Sequence, residues 1–204
     1  MDKIDLRKQL KHLYAPSAKA VGVVDVPRLN FLMIDGQGDP NTAPAYAAAV
    51  EALYALAYGL KFKVKKAPAG VDYSVMPLEG LWWVQDMSQF SLAHKEAWEW
   101  TMMIMQPDFV TAGLFAETLA EVQQKKELPA LGQIRFEAYH EGLSAQILHL
   151  GPYAAEAPTI EKIHAFIREQ GGQPRGKHHE IYLSDPRKAA PEKLRTVIRQ
   201  PFKR

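Results

Sequence analysis

The chain has 204 residues, of which 47% are hydrophobic and 24% charged, a globular composition with enough apolar material for a substantial core. A net charge of +2 is too small for the basic stripe expected of a nucleic-acid binder. There is no cysteine, which excludes disulfides, thiolate catalysis and Cys-ligated zinc.

Residues 4–14 read as a short amphipathic helix stopped by Pro16. This N-terminal stretch, "MDKIDLRKQLKHLY", is too charged for a signal peptide, and no run of about 18 apolar residues is present to span a bilayer. The expectation is a soluble cytoplasmic protein with no membrane or nucleic-acid partner. "AVGVVDV" (20–26) and "LNFLMID" (29–35) then read as two strands separated by Pro27 and Arg28. "GQGDPNTAP" breaks that pattern and leads into a helix, with Asn41 or Thr42 as its cap and Pro44 in its first turn. Tyr46, Val50, Leu53, Ala57 and Leu60 follow at spacings of four and three, one buried helical face.

"DYSVMPLEGLWWVQD" (72–86) and "AWEWTMMIMQ" (97–106) are aromatic-rich strand candidates. Thr111 caps a second helix whose apolar stripe is Phe115, Leu119 and Val122, with Glu121 and Lys125 as an i,i+4 pair outside. "QIRFEAYH" and "SAQILHL" read as two strands joined by a turn at Glu141-Gly142. A helix over 157–170 carries Ile160, Ile163 and Ile167 on one face and stops at Gly171-Gly172. The strand "HHEIYL" comes next, then a short closing helix from Pro191 bearing Leu194, Val197 and Ile198. Strand, turn, strand, Gly/Pro segment, helix and strand occur from 20 to 86 and again from 133 to 183, which fits two similar modules sharing a sheet with a cleft at their boundary.

Familiar chemical signatures are missing. "GQG" at 36–38 lacks the third glycine of a dinucleotide fingerprint and reads as a tight turn. There is no phosphate-binding loop, and Ser144 is not in a nucleophile elbow. Seven histidines invite a metal, but His178 and His179 are strand neighbours pointing to opposite faces, so no metal and no cofactor are expected.

The aromatic residues say more. Trp82, Trp83, Trp98 and Trp100 fall within 19 positions, and Tyr139, Tyr153 and Tyr182 lie on or beside the later strands. Taken singly each is a core residue; together they suit a site for flat or cationic ligands. His178, Glu180 and Tyr182 share one face of their strand, with His179, Ile181 and Leu183 on the other, and the apolar set is expected to pack against the helices. Glu180 is then either a solvated surface charge or a carboxylate kept among aromatic rings, where it serves as counter-charge or general base.

"FLMIDGQGDPN", "MPLEGLWW", "WTMMIMQP", "RFEAYHEGLSAQILHLGPY", "TIEKIHAFI" and "GKHHEIYLSDPRKAAPEKLRTVIRQP" together resemble the stand-alone GyrI-like small-molecule-binding proteins, over roughly residues 2–202. The resemblance implies an α+β fold of duplicated βαββ-type modules, about 20–106 and 133–199, forming a single domain. An antiparallel sheet carries the helices and a central ligand cleft, as in the effector domains of multidrug-responsive regulators. It further implies that Glu180 is the acidic residue of the cleft, with Trp82 or Trp83, Trp100, Tyr139 and Tyr182 as its aromatic cage. Some such proteins hydrolyse the cyclopropane of DNA-alkylating natural products such as yatakemycin; others only bind. Fewer than 20 residues precede the first strand, too few for a helix-turn-helix, so a regulator acting alone on DNA is not expected. Two readings stand: a cyclopropyl hydrolase that detoxifies a xenobiotic, or a non-catalytic protein that sequesters hydrophobic or cationic compounds.

Overall fold

The computed structural model describes residues 3–68, 70–87 and 94–204. In chain order its elements are the single-turn helices α1 (Leu6–Gln9) and α2 (Lys11–Tyr14), β1 (Gly22–Gln37), α3 (Pro44–Lys66), β2 (Leu78–Trp83), β3 (Glu99–Gln106), α4 (Ala112–Lys125), β4 (Arg135–Leu150), α5 (Ala157–Glu169), β5 (Gln173–Pro174), β6 (His178–Tyr182) and β7 (Arg195–Lys203). The sheet is antiparallel, and its order β4-β1-β3-β2-β6-β7 is closed by pairing of β4 with β7, giving a six-stranded barrel with helices packed outside.

Two expected breaks are absent, each for a local reason. The strands expected over 20–26 and 29–35 are one, β1 (Gly22–Gln37), because its ladder with β4 skips only Pro27, which has no N–H to give. Residues 135–150 are likewise one strand, and Glu141-Gly142 is a kink within it, not a hairpin. Gly142 takes φ +71°, a left-handed conformation open to glycine. The kink changes which residues point inward. Glu141 and Gln146 both reach Arg199 although an odd number of positions separates them, which a regular strand does not permit.

The expected closing helix is, after a 3-10 turn at Pro191–Lys193, the long strand β7. Val197 belongs to the main core and Ile198 to the cluster under α5, so β7 is buried on both faces and loses the alternation that marks a strand. The expected strand over 72–86 is confined to Leu78–Trp83.

Two layers of apolar packing hold the helices. α3 buries Ala49, Ala52, Leu53, Leu56, Ala57 and Leu60 in the main core with Leu32, Ile34, Met102 and Ile104; each leucine so buried is worth about 1.5–3 kcal/mol. Pro44 opens that helix as expected, but Ala43 occupies the cap and Asn41 is engaged with Asp39 instead, through a 2.7 Å hydrogen bond. α5 lays Ile163 and Ile167 against Ala145, Ile147, Ile198 and Phe202 and stops at Gly171, φ +69°. Thr111 caps α4, accepting a hydrogen bond from the Leu114 N–H at 3.2 Å. Glu121 feels the charge of Lys125 as expected, but its direct ion pair is with Lys63 of α3 at 2.7 Å, tying the two helices together.

Candidate functional site

Closing the barrel decides which side of β6 faces what. His179 and Ile181 point into the barrel, while His178, Glu180 and Tyr182 point out beneath the helices, reversing the expectation for the apolar set. The interior is the more enclosed side and takes Ile181; the outer side is roofed by α3 and by the segment before α5.

Glu180 is 7% exposed. His178 Nε2 lies 3.1 Å from its Oε1, and the Tyr182 hydroxyl donates to its Oε2 at 2.7 Å. Trp82 Nε1 in turn donates to the Tyr182 oxygen at 3.0 Å. Tyr46 of α3 stacks on Trp82 with centroids 6.0 Å apart and meets Trp100 edge-on at 5.5 Å. Trp98 leans on Trp82 at 5.3 Å, and Tyr153 meets Tyr182 edge-on at 5.6 Å. Glycines make this crowding possible. Gly80 sits opposite Glu180 on β2, where a Cβ would come within 2.7 Å of Trp82 Nε1, and a Cβ at Gly36 would overlap the Trp100 ring. The Trp100 Nε1 is buried with no hydrogen-bond partner among the described residues.

A second carboxyl shares this enclosure. Glu156, immediately before α5, is 2% exposed and its Oε1 has no partner among the described residues. Burial, and then the charge of Glu180, push its carboxyl up to about 9. Burial works on Glu180 in the same direction, but the hydrogen bonds from His178 and Tyr182 outweigh it and hold that carboxyl below its ordinary range. The two carboxyls are thus pushed in opposite directions, Glu156 toward the neutral acid and Glu180 toward the carboxylate. Burial and the Glu180 charge also raise Tyr46 and Tyr182, which stay neutral donors.

On the opposite side of the same sheet lies a buried ionic chain. The Tyr14 hydroxyl donates to Glu79 at 2.7 Å, His179 bridges Glu79 (3.0 Å) and Glu141 (2.9 Å), and Arg199 meets Glu141 at 3.0 Å. Arg199 also donates to the Leu13 carbonyl at 2.7 Å. Burial opposes the imidazolium, but the two carboxylates override it and raise His179 to about 9; burial likewise opposes ionised Glu141, which His179 and Arg199 hold down at about 2.

Of the residues singled out in the sequence, Glu180, Trp82, Trp100 and Tyr182 come together under α3. Trp83 and Tyr139 do not join them. Trp83 follows Trp82 and faces the other way, with Lys177 Nζ 3.1 Å from its ring centre, and Tyr139 lies in the barrel against Phe31. Glu156, Tyr46, Tyr153 and His178 were not assigned to the site from sequence. Tyr46 was legible only as one member of a core stripe, and Glu156 as a loop residue. Two open hollows, of about 270 and 360 Å³, lie at the barrel mouth and between α5 and the end of β4; neither is lined by Glu180. Among the described residues no helix is long and apolar enough to cross a membrane.

Comparison with known proteins agrees with this architecture. A model of the GyrI-like small-molecule-binding domain matches residues 20–203. An uncharacterised conserved protein from Listeria innocua is 39% identical, with 98% of this chain and all of that chain covered and a TM-score of 0.91. A protein from the same organism described as a hydrolase is 38% identical, with 99% of this chain and all of that chain covered and a TM-score of 0.88. The C-terminal domain of EcmrR, at 11% identity and a TM-score of 0.57 over 91% of this chain and 98% of that one, shares the fold alone. No curated protein gives a significant match. With its barrel, its flanking helices and a family match spanning nearly its full length, the chain belongs to the GyrI-like small-molecule-binding family.

Proposed function

We propose that the protein binds flat, hydrophobic compounds between α3 and the segment preceding α5 and hydrolyses those that carry a strained, electrophilic cyclopropane, such as yatakemycin. The observation that carries this reading is a pair of buried carboxyl groups, Glu180 and Glu156, in one aromatic enclosure, with only Glu180 hydrogen-bonded by His178 and Tyr182. A base and an acid side by side are what the addition of water needs. Two relatives described as hydrolases, 38% and 37% identical, support it. Trp82, Trp100, Tyr182, Tyr46 and Tyr153 are the walls, and a ligand enters by parting the Tyr46 and Tyr153 rings.

Glu180 takes a proton from water as the water oxygen bonds to the cyclopropane methylene. The carbon–carbon bond breaks, and its electron pair passes through the conjugated ring to the carbonyl oxygen. That oxygen is protonated at the expense of Glu156, and proton transfer from Glu180 to Glu156 restores the pair. The net change is addition of one water. Positive character at the reacting carbon is met by the faces of Trp82 and Tyr46.

Incubating the purified protein with a cyclopropane-bearing alkylator and following the hydrated, ring-opened product by mass spectrometry tests this. Glu180→Gln is expected to slow product formation by about 10²–10⁴-fold, the usual worth of a general base. Binding of the compound with no product above the no-protein control would leave the protein a sequestering one and remove the catalytic role.

A further inference from the structure

Trp83 and Tyr139 are left over from the cleft, and both sit beside the same opening, the 270 Å³ hollow at the barrel mouth. Met33 and Leu81 give it an apolar floor, and Thr101, Arg135, Glu137, Tyr139 and Lys177 stand around it. Barrel mouths are a favoured place for small ligands, and this one is large enough for a molecule of one or two rings. It is separated from Glu180 by the sheet itself, since Leu81 and Thr101 face into the barrel and Glu180 faces out.

The charges around the rim are unequally satisfied. Arg135 is held between Asp35, at 2.9 Å, and Glu137, at 2.8 Å, and Asp35 also accepts the Thr101 hydroxyl at 2.7 Å. Those two carboxylates are thus already spoken for. Lys177 is different. Its ammonium rests on the Trp83 face and has neither an ion pair nor a hydrogen bond among the described residues. It is half-buried, and burial, helped by the like charge of Arg135, lowers its pKa against the opposing charges of Asp35 and Glu99. The Tyr139 hydroxyl also has no hydrogen-bond partner among the described residues, and burial keeps it protonated by raising it to about 12. Two unused donors therefore stand over an apolar floor. A cationic guest meets Lys177 and Arg135, and a neutral one leaves the ammonium unpaired.

We infer that the barrel mouth is a second ligand site, separate from the Glu180 cleft, for a small planar aromatic anion whose carboxylate or phenolate oxygen is bound by Lys177 and the Tyr139 hydroxyl and whose ring lies on Met33 and Leu81. The chemistry is charge-assisted hydrogen bonding at a partly dry rim, where one such contact changes affinity by about tenfold or more.

Calorimetric titration of the full chain with 2-naphthoate, 2-naphthylmethanol and 2-naphthylmethylammonium tests it. The carboxylate is expected to bind saturably and at least about tenfold more tightly than the alcohol, with the ammonium weakest. Lys177→Gln, checked for an unchanged circular dichroism spectrum, should weaken naphthoate by about tenfold and remove the preference over the alcohol. Should that variant fail to fold, Tyr139→Phe supplies a second reading, with an expected weakening of the carboxylate but not of the alcohol. Hydrolysis of the cyclopropane substrate should be unaffected by saturating naphthoate, which keeps the two sites distinguishable. No saturable naphthoate binding, equal affinity for acid and alcohol, or undiminished naphthoate affinity in both variants would overturn the inference.

Discussion

Two carboxyl groups in one enclosed space repel each other when both are ionised, and here Glu156 bears the consequence. Its raised value means that folding takes up a proton at this position between the ordinary carboxylate range and about 9. The sign follows: Glu156 lowers stability progressively as pH rises through that window. Glu156→Gln, uncharged throughout, is therefore expected to be more stable than the parent at pH 8, by roughly 1–3 kcal/mol, with little difference at pH 4.5; urea unfolding at the two pH values measures it. The same variant should abolish the fall in kcat/KM expected on the alkaline side near 9 and lower its plateau. Neither partner was equally legible. Glu180 announced itself by interrupting an apolar strand, whereas Glu156 sits in "AAEAP" with no pattern to violate, and its meaning arises only from the sheet that it lies against.

At the scale of elements, much of the order was written in the residues. The three-and-four spacing from Tyr46 to Leu60 and from Ile160 to Ile167 gave α3 and α5, and Thr111 gave the start of α4. The two absent breaks share one cause. Pro27-Arg28 and Glu141-Gly142 are breaker signals, but in long strands that curl into a barrel they produce local bends and a change of inward face, not an end of pairing. The charged network was hidden for a related reason: Glu79, Glu141, His179 and Arg199 lie far apart in sequence and converge only when the barrel closes. Glycines, by contrast, carry packing information. Gly36→Ala pushes a methyl into Trp100 and is expected to cost about 1–3 kcal/mol in urea unfolding, with altered tryptophan fluorescence as the indole is displaced.

Across the whole molecule, the Tyr14–Glu79–His179–Glu141–Arg199 chain ties α2, β2, β4, β6 and β7 to one another inside the barrel. His179 is raised to about 9, so its contribution is complete below the ordinary imidazole value and is lost as pH rises through about 9. Glu141 is lowered to about 2, so its contribution is present above the ordinary carboxylate range and is lost as pH falls toward 2. The network is therefore at full strength between roughly pH 4.5 and 6.5. His179→Gln leaves two buried carboxylates facing each other and is expected to lose about 3–5 kcal/mol at pH 6, measured by denaturant midpoint, with a smaller loss at pH 10 where the parent imidazole is already neutral.

Closure of the cylinder by its last stave has a bearing on how the chain is made. β7 supplies neighbours for both β4 and β6, so until residues 195–203 leave the ribosome those two strands each expose an unsatisfied backbone rim. A chain truncated before that point is expected to leave both edges open to pairing with other chains, and the nine residues of β7 cover the two at once.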